Sequence, residues 1–455
     1  MAAASAISAP SFFEATPLLP PTVIFHLTAR FKADTSPAKV NLGVGAYRDA
    51  ALQPVVFSAV RKAEAAVVAA GGDKEYLPIS GLPELRAGAA QLLFGGDSPA
   101  LAAGRVATAQ TLSGTGSLTL GAQLLRRLLP GARLFCSEPT WENHGKVVAD
   151  AGAGGPGGLE YYRYYDGATR ALDAAGLMAD LGAIPEGSIV LLHACAHNPT
   201  GVDPSREQWG AIAALMQKRR LLPWFDIAYQ GFASGDLEED AWAVRHFAAM
   251  GFEMLVSQSF AKNFGLYCER VGALHVVAGS KAAAAAVLSQ LEAIARPMYS
   301  NPPAHGARVV ARVLGDPELN AVRRGEKKRP PSSLPPSLPP SLPPSLPRLT
   351  RAPIHPSHPP QEWRAELAAA LGRIAAMRKL LKAKLVARGT PGSWEHITAQ
   401  VGLFSYTGLT KAQSTRMVEE FHVYMLDTGR INVAGLNEAV MDHVVESIHR
   451  CVTEA

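Results

Sequence analysis

The sequence has 455 residues, of which 48% are hydrophobic and 18% are charged, as is typical of a globular protein with about two domains. The formal net charge is +5, but residues 322–361 carry seven basic residues and one acidic residue, so the remainder has no basic excess. We therefore expect no nucleic-acid partner. No run of 18 uninterrupted apolar residues is present, so we expect no membrane partner either. The four cysteines form no C-x-x-C pair, which predicts free thiols.

The N-terminus gives no clear targeting signal. Its first ten residues are rich in alanine and serine, and the first basic residue is Arg30. A secretory signal would need a basic start and an apolar core, and a transit peptide would normally contain arginine. The compartment therefore stays open between the cytoplasm and, if a transit peptide is missing from this chain, the mitochondrion or chloroplast.

Five apolar runs that end in polar or glycine-rich turns indicate strands. They begin at Arg133, Ser188, Leu222, Glu253 and Gly272. Most are apolar at consecutive positions, as in strands that are covered on both faces. Between two of them, residues 204–218 have apolar side chains at spacings of three and four, which predicts a helix. The pattern favours an α/β domain with a largely parallel sheet, in which ligands bind at the carboxyl ends of the strands.

The C-terminal part of the chain has a different pattern. From Trp363 to Leu385, apolar residues recur at spacings of three and four, which predicts a long amphipathic helix. A smaller α+β domain is expected after this helix. The glycine-rich residues 152–158 are interpreted as a loop.

Residues 322–361 fit neither domain. Of the 34 prolines, 13 lie between Pro330 and Pro360, which excludes a helix or central strand and predicts a disordered, solvated polyproline II segment. Joining Ala321 to Glu362 gives the continuous helical pattern D-P-E-L-N-A-E-W-R-A-E-L, so the segment is an insertion in a helix. We interpret it as an insertion without a specific role, or as coding sequence that was wrongly retained in the gene model. The alternative is a docking segment for an SH3-like or WW-like partner.

A single lysine follows the fourth apolar run. Residues 257–272 read S-Q-S-F-A-K-N-F-G-L-Y-C-E-R-V-G, with Lys262 directly after the predicted strand. A lysine at the end of a buried strand is costly to keep charged, so its pKa should fall and its amine can attack a carbonyl. The alternative is an ordinary surface lysine in a turn.

This lysine segment resembles that of the aspartate aminotransferases, which are fold-type I enzymes that use pyridoxal 5′-phosphate. The resemblance covers residues 11–321 and 362–455. It implies a large cofactor-binding domain at 50–321, with a mostly parallel seven-stranded sheet sandwiched by helices. A smaller α+β domain would be formed from 1–49 and 362–455. The implied reaction exchanges an amino group between L-aspartate and 2-oxoglutarate, in a homodimer with shared active sites.

Pyridoxal phosphate needs an amine that binds its aldehyde, a cradle for its phosphate and an anion beside its ring nitrogen. The resemblance implies that Lys262 supplies the amine and also moves a proton during the reaction. The implied phosphate cradle comprises Ser113, Gly114 and Thr115 of S-G-T-G, together with Ser259 and Arg270. Because S-G-T-G opens a predicted helix, its backbone N–H groups would face the phosphate. Alone, S-G-T-G is also typical of a plain helix cap.

The resemblance also assigns the groups around the cofactor ring. Asp226 ends an apolar run, where an unpaired carboxylate would be costly, and the family pattern pairs it with the ring nitrogen. Tyr229 and Asn198 would bond the phenolic oxygen of the ring, and Trp141 would stack beside it. The residues expected to act in catalysis are Lys262, Asp226, Tyr229 and Trp141. The alternative for Asp226 is a helix-capping or turn aspartate, and the alternative for Trp141 is a core aromatic residue.

A dicarboxylic amino acid requires two cations. Arg430 in T-G-R-I-N-V-A-G would bind the α-carboxylate, assisted by Asn198 and the backbone of Gly45. Arg296 in R-P-M-Y-S-N-P-P would bind the side-chain carboxylate. In the resembled family, this arginine and Tyr76 of K-E-Y-L-P-I reach the neighbouring subunit's site, where Tyr76 contacts the cofactor. The alternative for either arginine alone is a surface salt bridge.

The histidines of H-A-C-A-H do not predict a metal site. His193, Cys195 and His197 lack a companion ligand cluster, and His193 and His144 are interpreted as packing or supporting groups. Two other functions stay open. One is an aromatic amino acid aminotransferase of the same fold, and the other is a catalytically impaired scaffold that uses the proline-rich insertion.

Overall fold

The computed structural model describes residues 12–316 and 362–454, which contain thirteen strands. In chain order these are β1 (Val40–Asn41), β2 (Val106–Leu112), β3 (Leu134–Glu138), β4 (Leu159–Arg163), β5 (Tyr165–Asp166), β6 (Ala171–Leu172), β7 (Ile189–His193), β8 (Leu222–Ile227), β9 (Met254–Ser259), β10 (Val271–Val277), β11 (Phe404–Tyr406), β12 (Val423–Tyr424) and β13 (Arg430–Asn432). Seven of them form one central sheet in the order β2-β10-β9-β8-β7-β3-β4.

The central sheet is mostly parallel. Strands β4, β3, β7, β8 and β9 are all parallel, whereas β10 runs antiparallel to both of its neighbours, β9 and β2. Every residue of β7, β9 and β10 is buried, which explains why these strands are apolar at consecutive positions. The predicted α/β fold class is confirmed.

Helices account for most of the remaining described residues. In chain order they are α1 (Val23–Ala33), α2 (Ser58–Ala69), α3 (Pro83–Phe94), α4 (Pro99–Ala102), α5 (Ser113–Leu128), α6 (Asn143–Ala151), α7 (Ala174–Ala183), α8 (Arg206–Lys218), α9 (Leu237–Asp240), α10 (Trp242–Ala249), α11 (Lys281–Tyr299), α12 (His305–Gly315), α13 (Glu362–Ala387), α14 (His396–Ala399), α15 (Lys411–Glu419) and α16 (Glu438–Thr453). Within the described ranges, none of these helices combines the length and apolar character needed to cross a membrane.

Helices cover both faces of the sheet, as alternation along β7 illustrates. Ile189 and Leu191 belong to the apolar cluster that includes residues of α5, α6 and α11. Val190 and Leu192 belong to the cluster that includes α7, α8 and α10. Because successive side chains of a strand point to opposite faces, a strand between two helical layers must be apolar on both.

The N-terminal segment joins the C-terminal elements rather than the central sheet. Strand β1 pairs in parallel with β12, and β11 pairs with β13 in a separate antiparallel ribbon. The pairing agrees with a small domain built from both chain ends, although its predicted boundaries at residues 49 and 362 stay predictions. The predicted insertion, residues 322–361, lies outside the described residues.

Helix α13 is anchored on the segment that carries Lys262. The buried indole of Trp363 donates a hydrogen bond from Nε1 to the carbonyl oxygen of Asn263 at 2.7 Å. Its ring stacks on Phe264 with the ring centroids 4.3 Å apart. One turn of α13 therefore fixes the two residues that follow the lysine.

The anchor can be tested by a truncation. Trp363→Ala removes a fully buried side chain, so the free energy of unfolding should fall by about 3–5 kcal/mol. Val386→Ala on the same helix, where the side chain is 59% exposed, should change it by less than about 0.5 kcal/mol. Urea unfolding followed by circular dichroism measures both. Equal effects of the two substitutions would show that Trp363 is not an anchor.

Candidate active site

A cleft opens at the carboxyl ends of β8 and β9, beside the start of α5. It brings together every predicted site residue except Tyr76 and Arg296. The predicted residues that line it are Gly45, Ser113, Gly114, Thr115, Trp141, Asn198, Asp226, Tyr229, Ser259, Lys262, Arg270 and Arg430. They come from separate segments of the chain, which supports a single functional centre rather than a set of unrelated surface groups.

Lys262 projects into this cleft from the turn after β9. Its amine has no hydrogen-bond partner among the described residues and lies 5.3 Å from the centre of the Tyr229 ring. Burial lowers the pKa of Lys262, the charge of Arg270 lowers it further, and the charge of Asp226 partly opposes both. The lowered pKa increases the fraction of the nucleophilic neutral amine.

Asp226 lies near the end of β8, level with His193 on β7 and Ser257 on β9. Burial tends to raise the pKa of Asp226, but the hydrogen bond and charge of His144 outweigh it, so the pKa falls below its usual value. The two atoms concerned, His144 Nε2 and Asp226 Oδ2, are 3.1 Å apart. Burial opposes the charge on His144, yet the hydrogen bond to Asp226 raises the pKa of His144 to about 9. Asp226 is therefore a buried anion at neutral pH.

The other side of the His144 ring is also held. Thr140 Oγ1 lies 2.8 Å from His144 Nδ1 and 2.9 Å from His193 Nε2. The ring of Trp141 meets His144 edge to face, with the centroids 5.4 Å apart. These contacts orient His144 Nε2 toward Asp226, which agrees with the supporting role predicted for both histidines.

The S-G-T-G motif forms the first turn of α5. Ser113 has a φ of +62°, which is rare for a residue other than glycine and is typical of functional sites. Its Oγ lies 3.0 Å from Ser259 Oγ, so β9 and α5 meet at this point. A Cβ added to Gly114 would lie 3.0 Å from Ser259 Cβ, so the glycine is needed for the close approach. The unpaired N–H groups of this helix start can bind an anion.

Arg270 completes the cationic side of the cradle. It precedes β10, has a φ of +54°, and donates from Nη1 to the carbonyl oxygen of Tyr267 at 2.9 Å. Burial lowers the pKa of Arg270, although a guanidinium remains charged at neutral pH. Hydroxyls, N–H groups and one guanidinium together form a donor set that suits a phosphate dianion.

Arg430 lies on β13, on the opposite side of the cleft. Its guanidinium donates from Nη1 to Asn198 Oδ1 at 3.2 Å and from Nη2 to the Gly43 carbonyl oxygen at 3.0 Å. The Phe404 ring lies 4.1 Å away, and the buried Nε has no partner. Burial lowers the pKa of Arg430, and no described carboxylate forms a salt bridge with it. A buried cation with a free donor is suited to a carboxylate ligand.

The remaining predicted groups frame the space between these cations. Burial raises the pKa of Tyr229, so its phenol stays protonated and can donate a hydrogen bond. Trp141 lines one wall of the cleft. A Cβ added to Gly45 would come 2.8 Å from Cζ of Phe404, so the chain passes closely beside the Arg430 pocket. The chain at Gly45 was predicted to lie near Arg430, and it packs closely on Phe404, whose ring contacts Arg430.

Tyr76 and Arg296 lie at the surface, outside the cleft of their own chain. Tyr76 is 85% exposed, and Arg296 donates from Nη1 to Ser300 Oγ at 2.5 Å. The two motifs are nevertheless adjacent, since Asn301 Nδ2 donates to the Leu77 carbonyl oxygen at 2.5 Å. Their assignment to a second subunit's site stays a prediction.

The two histidines of H-A-C-A-H are both engaged in hydrogen bonds. His193 bonds Thr140, whereas His197 bonds Ser137 through Nε2 at 2.9 Å and Thr200 through Nδ1 at 2.8 Å. Across residues 12–316 and 362–454, no group of three or more side chains of the metal-ligating types is placed to hold an ion.

Some cleft residues were not predicted. Phe404 packs on Arg430, the carbonyl of Gly43 accepts from it, and Cys195 lines the cleft. Phe404 lies in the short apolar sequence G-L-F-S-Y, which gives no sign of a position beside a cation. For Gly43, the glycine-rich N-L-G-V-G was a usable signal, because it already marked Gly45.

The side chains present fit pyridoxal phosphate. Its aldehyde requires an available amine, its ring nitrogen an anion and its phosphate a set of donors. Lys262 has no partner, Asp226 is held ionised, and Gly114 leaves room for a close approach to the helix start. The cofactor prediction is therefore supported by three separate features of the cleft.

Comparison with known proteins identifies the family. The family "Aminotransferase class I and II" matches residues 37–329 and 346–448, and the interruption falls in the proline-rich segment. The cytoplasmic aspartate aminotransferase of Gallus gallus is 46% identical over 452 residues, which is 98% of this chain and 99% of the relative. The mitochondrial aspartate aminotransferase P2 of Lupinus angustifolius is 46% identical, with 96% of this chain and 88% of the relative covered.

A solved structure gives the same result. An aromatic-amino-acid aminotransferase from Burkholderia pseudomallei, covalently bound to pyridoxal phosphate, has a TM-score of 0.86 and 43% identity. The alignment covers 98% of this chain and 100% of the other. These similarities, which extend over nearly the whole length of both chains, show that the chain belongs to the aminotransferase class I and II family.

Proposed function

We propose that the chain is a pyridoxal-phosphate-dependent aspartate aminotransferase, which converts L-aspartate and 2-oxoglutarate to oxaloacetate and L-glutamate. The observation that carries the proposal is the meeting of Lys262, the Asp226–His144 pair and the unpartnered Nε of Arg430 in one cleft. The similarity to aspartate aminotransferases at 46% identity supports the choice of substrate.

The cofactor, when bound, supplies an aldehyde that reacts with amines and a ring that withdraws electrons from the substrate Cα. The side chains of the cleft supply the rest. Asp226, held ionised by His144, keeps a proton at the ring nitrogen. Lys262 would hold the cofactor through its amine, and this amine, when displaced by the substrate, would accept the proton from Cα because its lowered pKa favours the neutral form. Tyr229 and Asn198, which line the cleft, would bond the phenolic oxygen of the ring, and Trp141 would pack against its face.

The two ends of the cleft bind the two anions. The phosphate would be held at the start of α5 by Ser113, Gly114, Thr115, Ser259 and Arg270, which line this end of the cleft. Arg430 binds the α-carboxylate from the other end, through the guanidinium that lines the cleft. Fixing both anions sets the angle at which the substrate Cα meets the Lys262 amine.

The side-chain carboxylate of aspartate requires a further cation, which a second copy of the chain would provide. Arg296 and Tyr76 are exposed on adjacent segments joined by the Asn301–Leu77 hydrogen bond. Since they lie outside their own cleft, a symmetric dimer that exchanges them would complete both sites. We therefore propose a homodimer in which Arg296 binds the side-chain carboxylate and Tyr76 contacts the cofactor in the other subunit's site.

A steady-state assay tests the proposed reaction. The purified full-length chain, supplied with pyridoxal phosphate, is assayed with aspartate and with phenylalanine as amino donor and 2-oxoglutarate as acceptor. We expect a higher kcat/KM for aspartate. A preference for phenylalanine would favour the aromatic aminotransferase, as the Burkholderia pseudomallei structure is named. No turnover of either donor would favour the scaffold alternative, whose proline-rich residues lie outside the described ranges.

Lys262→Ala should reduce turnover by more than about a thousandfold, because it removes both the covalent link to the cofactor and the proton acceptor. Borohydride reduction should then attach no cofactor to the protein, as measured by mass spectrometry. The matched control is Lys281→Ala on α11, because Lys281 does not line the cleft. Cofactor still trapped on the Lys262→Ala protein would place the reactive amine elsewhere.

Asp226→Ala should reduce kcat by about a hundredfold or more, because a neutral ring nitrogen withdraws electrons poorly. Asp226→Glu keeps the charge and should lose less. Single-turnover rates with aspartate measure both variants. If the two substitutions cause the same mild loss, Asp226 is a structural residue and the electrostatic role assigned to it is wrong.

Arg296→Asp should penalise aspartate by about 3–5 kcal/mol in kcat/KM, because its side-chain carboxylate would meet a like charge instead of a cation. Phenylalanine, which has no second charge, should lose far less. Arg430→Ala should weaken both substrates, since both carry an α-carboxylate. The measurement is kcat/KM for each substrate with each variant. An equal loss for both substrates in Arg296→Asp would contradict the assignment.

A further inference from the structure

Helix α13 carries two arginines whose guanidinium groups bind backbone carbonyl oxygens. Arg373 and Arg378 each donate several hydrogen bonds to main-chain oxygens of the segments around β11 and β13. Within the part of the chain that the structure describes, neither of them forms a salt bridge with a carboxylate. A cation held in this way is unusual, because burying it without an anion is costly and an apolar residue could fill the same space.

Arg378 is the more deeply buried of the two, with a relative exposure of 4%. Its Nη1 donates to the Ile397 carbonyl oxygen at 2.8 Å. Its Nη2 donates to the carbonyl oxygens of Gly402 at 3.1 Å, Val401 at 3.3 Å and Phe404. Burial lowers the pKa of Arg378 to about 9, so the group is still protonated at neutral pH. One side chain thus fixes the main chain up to and including Phe404.

Arg373 holds the second strand at the same end of this ribbon, since Asn432, the last residue of β13, pairs with Phe404. It donates from Nη1 to the Leu436 carbonyl oxygen at 2.9 Å and from Nη2 to the Ala434 oxygen at 2.6 Å. Nη2 also contacts the carbonyl oxygen of Arg48, and the guanidinium lies 5.5 Å from the centre of the Tyr47 ring. The carbonyls of Ala434 and Leu436 lie directly after β13. Helix α13 therefore holds both the chain entering β11 and the chain leaving β13.

The ribbon held between these arginines carries the proposed α-carboxylate site. Phe404 pairs with Asn432 and Tyr406 pairs with Arg430 across β11 and β13. The Phe404 ring lies 4.1 Å from the Arg430 guanidinium and is the nearest contact of a Cβ added to Gly45. A shift of the Phe404 main chain would therefore move the aromatic face against which Arg430 rests.

We propose that Arg378 is a positioning residue, which holds Phe404 against Arg430 and so sets the affinity for the α-carboxylate of the substrate. The inference rests on the proposed function, since it assigns the α-carboxylate to Arg430. Its physical basis is direct: Arg378 bonds the carbonyl of the residue whose ring packs on the carboxylate-binding guanidinium. Arg373 bonds the chain that leaves β13, at the Ala434 and Leu436 carbonyl oxygens.

The chain near Phe404 has other supports, so Arg378 is not needed merely to fold it. Gln400 Oε1 accepts from Ser405 Oγ at 2.8 Å and from the Tyr406 N–H at 3.0 Å. The Val401 N–H donates to the Gly201 carbonyl oxygen at 2.7 Å. With these bonds intact, loss of Arg378 should leave the turn folded but release the main chain at Phe404.

The test compares Arg378→Met and Arg378→Lys with the unmutated holoenzyme. We expect Arg378→Met to raise KM for both aspartate and phenylalanine about tenfold with little change in kcat, because a contact to the shared α-carboxylate is weakened throughout the reaction. Arg378→Lys should recover part of the loss. The absorption of the bound cofactor should not change, since no cofactor-binding residue is touched. Arg388→Met is the matched control, because Arg388 directly follows the same helix but pairs with the exposed Glu446.

Unchanged KM values in a folded Arg378→Met holoenzyme would overturn the proposal. If Arg378→Met does not fold, a double-mutant cycle of Arg378→Lys with Phe404→Leu decides the matter. If Arg378 acts through Phe404, the effects of the two substitutions on KM are not additive. Additive effects would contradict the proposal. If the unmutated protein does not transaminate aspartate, the proposed function fails. The inference is then tested by the binding of maleate, a dicarboxylate that has no amino group and so needs no turnover. Its binding should weaken in the same variants.

Discussion

The buried ion pair between Asp226 and His144 is the interaction on which the rest of the cleft depends. His144 lowers the pKa of Asp226 against the effect of burial, so that an anion persists at the end of a strand inside the protein. That anion faces Lys262, whose own pKa falls because it is buried. Without Asp226, Lys262 would lose the negative charge that partly offsets the effects of burial and of Arg270 on its pKa. The pair thus makes a strongly cationic pocket compatible with a stable fold.

The fold places this pair by ordinary sheet geometry. The parallel strands β7, β8 and β9 end at one edge, so polar residues after separate apolar runs become neighbours. Helix α5 begins at that edge and contributes its unpaired N–H groups. Helix α13 links the opposite wall to the same region, since it contacts Asn263 at its start and the ribbon of Phe404 and Arg430 further along. One helix therefore touches both the lysine segment and the carboxylate pocket.

Much of the fold and site could be predicted from the sequence, and the remainder depends on contacts that sequence spacing does not encode. Apolar runs in the sequence predicted β3 and β7 to β10, whereas β2 and β4 of the central sheet were not anticipated. The assignment of Lys262, Asp226 and Arg430 came from long motifs. By contrast, the hydrogen bond between His144 and Asp226 joins residues 82 positions apart. Arg378 bonds main-chain oxygens, and because every residue has one, the sequence does not indicate these partners. From the sequence, Phe404 has the pattern of a core residue, because its contact with Arg430 arises only in the folded chain.

The central claim is that the cleft transfers an amino group between a dicarboxylic amino acid and the bound cofactor. A single half-reaction tests it most directly. The protein is loaded with pyridoxal phosphate, freed of excess cofactor and mixed with aspartate in the absence of any oxo acid. We expect a change in the absorption of the bound cofactor, release of one oxaloacetate per site and reversal on adding 2-oxoglutarate. Bound cofactor whose absorption does not change, with no oxaloacetate released, would contradict it.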